Sequence, residues 1–479
     1  MSAGRFPSPL ISGFFLASLL SLGAATACAD SLPPPVKQAL QQADLPASAL
    51  SVWVQDTQGK RPLLAIGAER AVNPASTMKL VTTYAALELL GPAYVWKTEA
   101  YAAGPVKAGV LDGDLVLKGY GDPKLTLENF WLLLRELRQR RVQEIRGDLV
   151  LDQGYFAPLP HDPGAFDKEP LRAYNTGPQA LLVNFNAIRL RLLPQQDGTV
   201  NVVADPAPAG LRVINNVAAD PGACGDWRER ITTDVIQNGS EFSLTVGGSF
   251  ALSCGDRNTH LSLLRNGRYA FELFRQLWAE LGGRFNGVLK SGETPAGARL
   301  LAERESPPLA DVIRDINKFS NNVMARQLFL TLGAERFGPP ASPEKGGAAV
   351  AGWLAAKGLD FPELVLENGS GLSRTERISP AHLGELLVSA NNSPVFSEFE
   401  SSLPIVAVDG TMKKRLNDHA VAGHAHIKTG SLEGVRSLAG YVFDARGRRM
   451  AVVAIVNHPR AGAARPALDA LLQWVYQRP

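Results

Sequence analysis

Ser76-Thr77-Met78-Lys79 sets a hydroxyl three residues ahead of an amine. On a helix that spacing projects both side chains from one face. A lysine amine held against a serine hydroxyl can take its proton, provided burial or neighbouring cations lower the amine's affinity for protons. A helix N-terminus adds partial positive charge where an alkoxide would develop. Two further segments offer complementary chemistry. In Lys428-Thr429-Gly430-Ser431 a cationic lysine and a hydroxyl could hold a carboxylate, and Gly430 would let a substrate backbone approach a strand edge. In Ser320-Asn321-Asn322 a second hydroxyl and an amide could relay a leaving-group proton and orient a substrate amide.

The surrounding sequence says which elements must carry these groups. Pro74 suits a first helical turn, Met78, Val81, Leu87 and Leu90 recur at helical spacing behind it, and Gly91-Pro92 reads as a stop. Alternation of Ala425 and Ile427 against His426 and Lys428 predicts a strand with Lys428 and Gly430 on one face. Ser320-Asn321-Asn322 precedes an apolar helical run that contains Val323, Met324, Leu328 and Phe329, where the purely structural alternative for Ser320 is a helix N-cap. Ser-x-x-Lys alone is a weak signal, and Ser342-Pro343-Glu344-Lys345 repeats it in a stretch read as a Pro/Gly-rich loop. Ser389-Ala390-Asn391 and Lys290-Ser291-Gly292 are similar decoys for the other two segments.

Elsewhere, Ala49–Gln55 and Leu63–Ile66 read as strands paired around Gln58-Gly59-Lys60. The tail returns to sheet over Ala425–Ser431, Ser437–Phe443 and Met450–Val456, followed by an amphipathic helix from about Pro466 to Tyr476. Between Thr98 and Ser253 short strands dominate, with one helix over Thr126–Arg140. Two echoing segments there, Gly113–Leu117 and Gly147–Leu151, read as edge strands entered by Gly-Asp turns.

A chain of 479 residues exceeds one core's usual size. Its 45% hydrophobic and 20% charged content indicate a globular protein, and a net charge of +3 without basic-aromatic blocks gives no support for nucleic-acid binding. Arg5, the apolar run Pro9–Leu22 and the small residues to Ala29 read as a secretory signal peptide, with cleavage fitting after Ala27 or Ala29. Ala25 is a poor lipobox start for Cys28. The remaining Cys224 and Cys254 are expected to be bonded in an oxidising compartment. No other stretch approaches a membrane span. His424 and His426 share a strand face, but no third metal ligand is placed; neither metal nor cofactor is expected.

Ser-x-x-Lys opening a helix, Ser-x-Asn at a helix start and Lys-Thr-Gly on a strand, in this order, resemble the motif set of penicillin-binding proteins and serine β-lactamases. The long interval between Lys79 and Ser320, Gly119-Tyr120-Gly121-Asp122-Pro123, Gly369–Arg374, and Asp409-Gly410-Thr411 with Arg415 resemble the class C low-molecular-mass penicillin-binding proteins, the D-alanyl-D-alanine carboxypeptidase/endopeptidase family. Glu367-Asn368 departs from the Asp often found there. The resemblance implies an α+β fold, a penicillin-binding transpeptidase-like domain with an antiparallel sheet and flanking helices, carrying a large β-rich insertion. The expected division is a signal peptide at 1–29, a discontinuous peptidase domain at 30–95 and 265–479, and an insertion at 96–264 with room for a nested module.

By the same resemblance Ser76 is the acylated nucleophile, Lys79 its base, and Ser320 and Asn322 serve proton transfer and amide binding. Lys428 and Thr429 hold the terminal carboxylate beside Gly430 and Ser431, and the N–H groups of Ser76 and Ser431 form an oxyanion hole. Arg374 and Asp152 are the expected readers of the stem-peptide side chain. The implied partners are peptidoglycan stem peptides and, as covalent inhibitors, β-lactams; the implied location is the periplasm. A serine β-lactamase would share the first half of the chemistry, but no carboxylate with a deacylating role stands out. A non-enzymatic wall-binding protein would have no use for all three motifs.

Overall fold

A computed structural model describes residues 31–238, 241–265 and 267–478, together with Met1, Ser2 and Gly4; the expected signal segment lies outside the described residues. The central element is a five-stranded antiparallel sheet in the order Ala425–Leu432, Val435–Phe443, Arg449–Asn457, Leu50–Asp56, Leu64–Ile66. Strands from both ends of the chain therefore share one sheet.

Burial on both faces explains the near-continuous apolar run of Arg449–Asn457. Ala451, Val453 and Ile455 join Trp53, Tyr84, Phe329 and Leu386 in a core under one group of helices. Val452, Ala454 and Val456 pack on the opposite face with Val52, Leu468 and Leu472. The terminal helices Pro34–Gln42 and Arg465–Gln477 cover that second face. Lys79–Leu90 and Asn322–Phe337 belong to the first, and neither shows a polar stripe because about three quarters of their residues are buried.

A separate core gathers Leu115, Phe130, Leu149, Phe274 and Trp278. It sits on a five-stranded sheet ordered Leu289–Ser291, Leu149–Asp152, Asp114–Gly119, Lys97–Ala103, Arg299–Glu305. The echoing segments are thus parallel neighbours inside this sheet, with Leu115 opposite Leu149 and Leu117 opposite Leu151, and not the edge strands expected. Nor does the packing change at 265. Helix Arg268–Glu280 fills the second core, and Arg299–Glu305 pairs with Lys97–Ala103, so the chain rejoins the first core only at Leu309–Lys318. Within this region Ile188–Leu261 forms two three-stranded sheets, with a Cys224–Cys254 disulfide beside Trp227 and Phe250.

Ser342-Pro343-Glu344-Lys345 is not a loop. Ser342 caps a helix over Pro343–Ala356 whose small residues hide its periodicity, and Lys345 Nζ turns back to the carbonyls of Gly338 and Pro340. It has no part in the constellation described next.

Candidate active site

The nucleophile segment starts as a tight 3-10 turn, Ala75–Met78, and becomes an α-helix at Lys79. Ala75 takes a positive φ of 48°, a conformation that costs a non-glycine residue about 1–2 kcal/mol and persists only where surroundings impose it. Those surroundings come from the chain's other end. Asn73 N–H donates to Asn457 Oδ1 (2.9 Å), and Asn457 Nδ2 donates to the Asn73 carbonyl (3.0 Å). Ser437 Oγ donates to the Pro74 carbonyl at 2.7 Å. Ser76 is left half-buried at the turn's surface.

Lys79 is fully buried. Its Nζ stands 3.0 Å from Ser76 Oγ, 2.6 Å from Asn322 Oδ1 and 2.5 Å from the Ser370 carbonyl oxygen. Two acceptors use two N–H groups, so a neutral amine keeps its lone pair for the Ser76 hydroxyl. Electrostatics favour that neutral form. Burial drives the Lys79 proton affinity well below the usual lysine range, and the neighbouring Lys428 cation adds to the effect.

Lys428 is also fully buried; its Nζ donates to Ser320 Oγ and to the Thr429 carbonyl, both at 2.8 Å. Burial alone lowers its pKa to about 7. The two amines repel each other's protons, which favours a site in which only one of them is charged.

Ser320 is not the helix N-cap, the structural alternative that its position offered. Asn321 caps the helix through Met324 N–H, and Ser320 lies just outside with φ 57°. Its hydroxyl is thereby free to meet Lys428. Thr429 Oγ1 donates to Thr411 Oγ1 at 2.8 Å, and Ser431 is exposed at the same strand end. At Gly430 a side chain would strike Ser437 Oγ and the Pro74 carbonyl. The glycine is thus required for strand and nucleophile turn to touch, a different reason from the substrate approach expected.

The turn Gly369-Ser370-Gly371 completes the enclosure. Gly371 has φ 76°, and a Cβ there would overlap the Ala75 carbonyl. On the other side of this turn a cavity of about 430 Å³ is lined by Phe166, Arg326, Asn368, Leu372 and Arg374 among others. Arg374 lies 4.6 Å over the Phe166 ring and donates to the Glu433 carbonyl at 3.1 Å, which places it on the rim. Asp152 is not brought there. It is buried, and its carboxylate accepts from Gly154 N–H (3.1 Å), Thr294 N–H (2.8 Å) and Thr294 Oγ1 (2.6 Å), contacts that use both oxygens inside the insertion.

The Ser370 carbonyl, Thr411 and Arg326 join this neighbourhood without a local signal that would place them in it. A backbone carbonyl has no side-chain signature, and only the flanking glycines marked the turn.

Comparison with known proteins agrees with the geometry. The model of the D-Ala-D-Ala carboxypeptidase 3 (S13) family matches residues 34–477. The D-alanyl-D-alanine carboxypeptidase DacB of Haemophilus influenzae is 29% identical over 387 residues, 80% of either chain. A D-alanyl-D-alanine carboxypeptidase of Actinomadura sp. is 28% identical over 470 residues, covering 94% of this chain and 86% of the relative. The crystal structure of penicillin binding protein 4 from Haemophilus influenzae superposes with a TM-score of 0.75 at 26% identity, over 91% of this chain and 99% of the other. Its complex with a novel β-lactam gives 0.72.

Proposed function

Since the chain belongs to the D-Ala-D-Ala carboxypeptidase 3 (S13) family, we propose that it is a serine DD-peptidase working through a Ser76 acyl-enzyme. It removes the terminal D-Ala of peptidoglycan stem peptides or cuts D-Ala crosslinks between them, and β-lactams acylate the same serine.

In this reading Lys428 and the Thr429 hydroxyl hold the carboxylate beyond the scissile amide, and Asn322 Nδ2 orients the amide before it. The Ser76 hydroxyl passes its proton to the Lys79 lone pair and attacks the carbonyl carbon. The N–H groups of Ser76 and Ser431 receive the developing oxyanion. Ser320, hydrogen-bonded to Lys428, gives its proton to the departing amine and regains one from the lysine pair, which has taken up the Ser76 proton; water then attacks the acyl carbonyl, passing a proton through Lys79 back to the Ser76 oxygen as the acid leaves. Gly430 supports the site by letting the strand reach the nucleophile turn. Arg374 reads the stem side chain from the cavity rim; Asp152 holds the loop at Thr294.

The observation that carries the reading is the environment of Lys79 Nζ: buried, with two acceptors besides Ser76 Oγ. We assign the insertion to 97–305, where its strands end, with residues 188–261 as the nested module and export to the periplasm as its setting. Purified protein should bind benzylpenicillin covalently and release D-Ala from D-Ala-D-Ala peptides, and Ser76→Ala should lose both. Covalent labelling that persists in Ser76→Ala would refute the assignment.

A further inference from the structure

Glu376 is fully buried, yet no step above uses it. Its side chain folds back under the turn that precedes it. Oε1 accepts from the backbone N–H groups of Glu367 (3.2 Å), Asn368 (2.9 Å) and Gly369 (2.9 Å). Oε2 is buried and meets no donor among the described residues. Three N–H groups converging on one oxygen favour the anion, whereas a protonated carboxyl would find no protein acceptor for its hydrogen. The residue following those three N–H groups is Ser370, whose carbonyl receives Lys79 Nζ at 2.5 Å. Fixing the turn fixes that acceptor.

The charges around this carboxylate come from every element packed on it. Lys79 lies on the nucleophile helix, Arg326 on the helix Asn322–Phe337, and Glu367 on the turn itself; Lys428 lies beyond Lys79 on the sheet. Arg326 is nearly fully buried and donates to the Thr176 carbonyl at 3.0 Å. Lys428 and Arg326 both repel a proton on Lys79, while Glu376 attracts one. Burial is the largest influence and leaves the Glu376 carboxyl above its usual range, although the three N–H donors and Lys79 pull it down toward the anion.

We propose that Glu376 is a positioning residue for the base lysine, fixing the Ser370 carbonyl that orients Lys79 Nζ and setting a negative charge against the cations around it. The inference rests on the reading of Lys79 as the base. Removing the charge leaves Lys79 with repulsion alone, so it should lose its proton at lower pH.

The test is the pH dependence of benzylpenicillin acylation by the full chain, as wild type, Glu376→Gln and Glu376→Asp. Gln keeps an acceptor for the turn and removes the charge; Asp keeps the charge on a shorter arm. The acidic limb of the rate should move to lower pH by about one unit in Glu376→Gln. In Glu376→Asp it should stay in place while the plateau falls. An unmoved limb in a folded Glu376→Gln protein, a limb moved to higher pH, or a shift in Glu376→Asp would each overturn the proposal. If Glu376→Gln does not fold, Glu376→Asp alone decides it. A wild type with no acidic limb would instead remove the base assignment on which the inference stands.

Discussion

Two lysine amines sit without solvent within one site, and they are not equivalent. Burial pushes Lys79 well below the usual lysine range and Lys428 to about 7; around Lys79, repulsion from Lys428 and Arg326 is opposed by Glu376. At neutral pH the first is positioned to accept a proton while a good share of the second still carries one. A bell-shaped kcat/KM profile follows for carboxylate-terminated peptides. Its acidic limb reports Lys79 losing its proton, and its basic limb falls from about pH 7 as Lys428 in the free enzyme loses its own. Once substrate is bound its carboxylate holds the Lys428 proton, so the basic limb of kcat should lie at higher pH than that of kcat/KM. Steady-state kinetics across pH on a D-Ala-D-Ala peptide checks this; coincident limbs would show that Lys428 does not touch the carboxylate. Ser76, Lys79 and Lys428 were legible as candidates for nucleophile, base and carboxylate binder because each is a side chain in a short segment of fixed spacing. Thr411 was not legible as a neighbour of Thr429, since the contact exists only once the turn Gly410–Met412 folds against the strand Ala425–Leu432.

At the scale of elements, the site is held by close backbone approaches more than by side-chain packing. The glycine turn Gly369–Gly371 lies against the Ala75 carbonyl. Gly371→Ala therefore combines a left-handed backbone with steric overlap, costing roughly 2–4 kcal/mol. Penicillin acylation should fall at least tenfold, and thermal melting with an acylation assay reads both effects. Strands and their alternation were legible to within a residue or two, because both faces of the sheet bury apolar side chains. The edge assignment of Gly113–Leu117 and Gly147–Leu151 failed for a physical reason. Neighbouring strands are supplied from residues 97–103 and 289–291, and local pattern says nothing about such partners. Likewise the helix Pro343–Ala356 is rich in glycine and alanine, so burial of Val350, Trp353 and Leu354 sustains it without a legible stripe.

Over the whole molecule, separate apolar cores divide stability from chemistry. The disulfide closes a loop of sequence separation 30 beside Trp227 and Phe250, far in packing terms from the core around Tyr84 and Phe329. Replacing both cysteines by serine should destabilise the nested module by about 3 kcal/mol. Limited proteolysis should then cut within residues 188–261, while the acylation rate stays within about twofold of wild type. A large loss of acylation would show that the module supports the site. The insertion itself was legible as a change of texture, but its end was not, because Arg268–Glu280 has an amphipathic pattern that either core could accept.

The pair Asn73–Asn457 joins positions at opposite ends of the sequence. A ribosome makes the serine early and its anchors almost last, so no amino-terminal fragment, whatever its length short of that asparagine, contains the means to hold Ser76 in its working posture. Reactivity is consequently a property the polypeptide acquires in the closing moments of its maturation. Until then the hydroxyl is an ordinary alcohol on an unfinished chain.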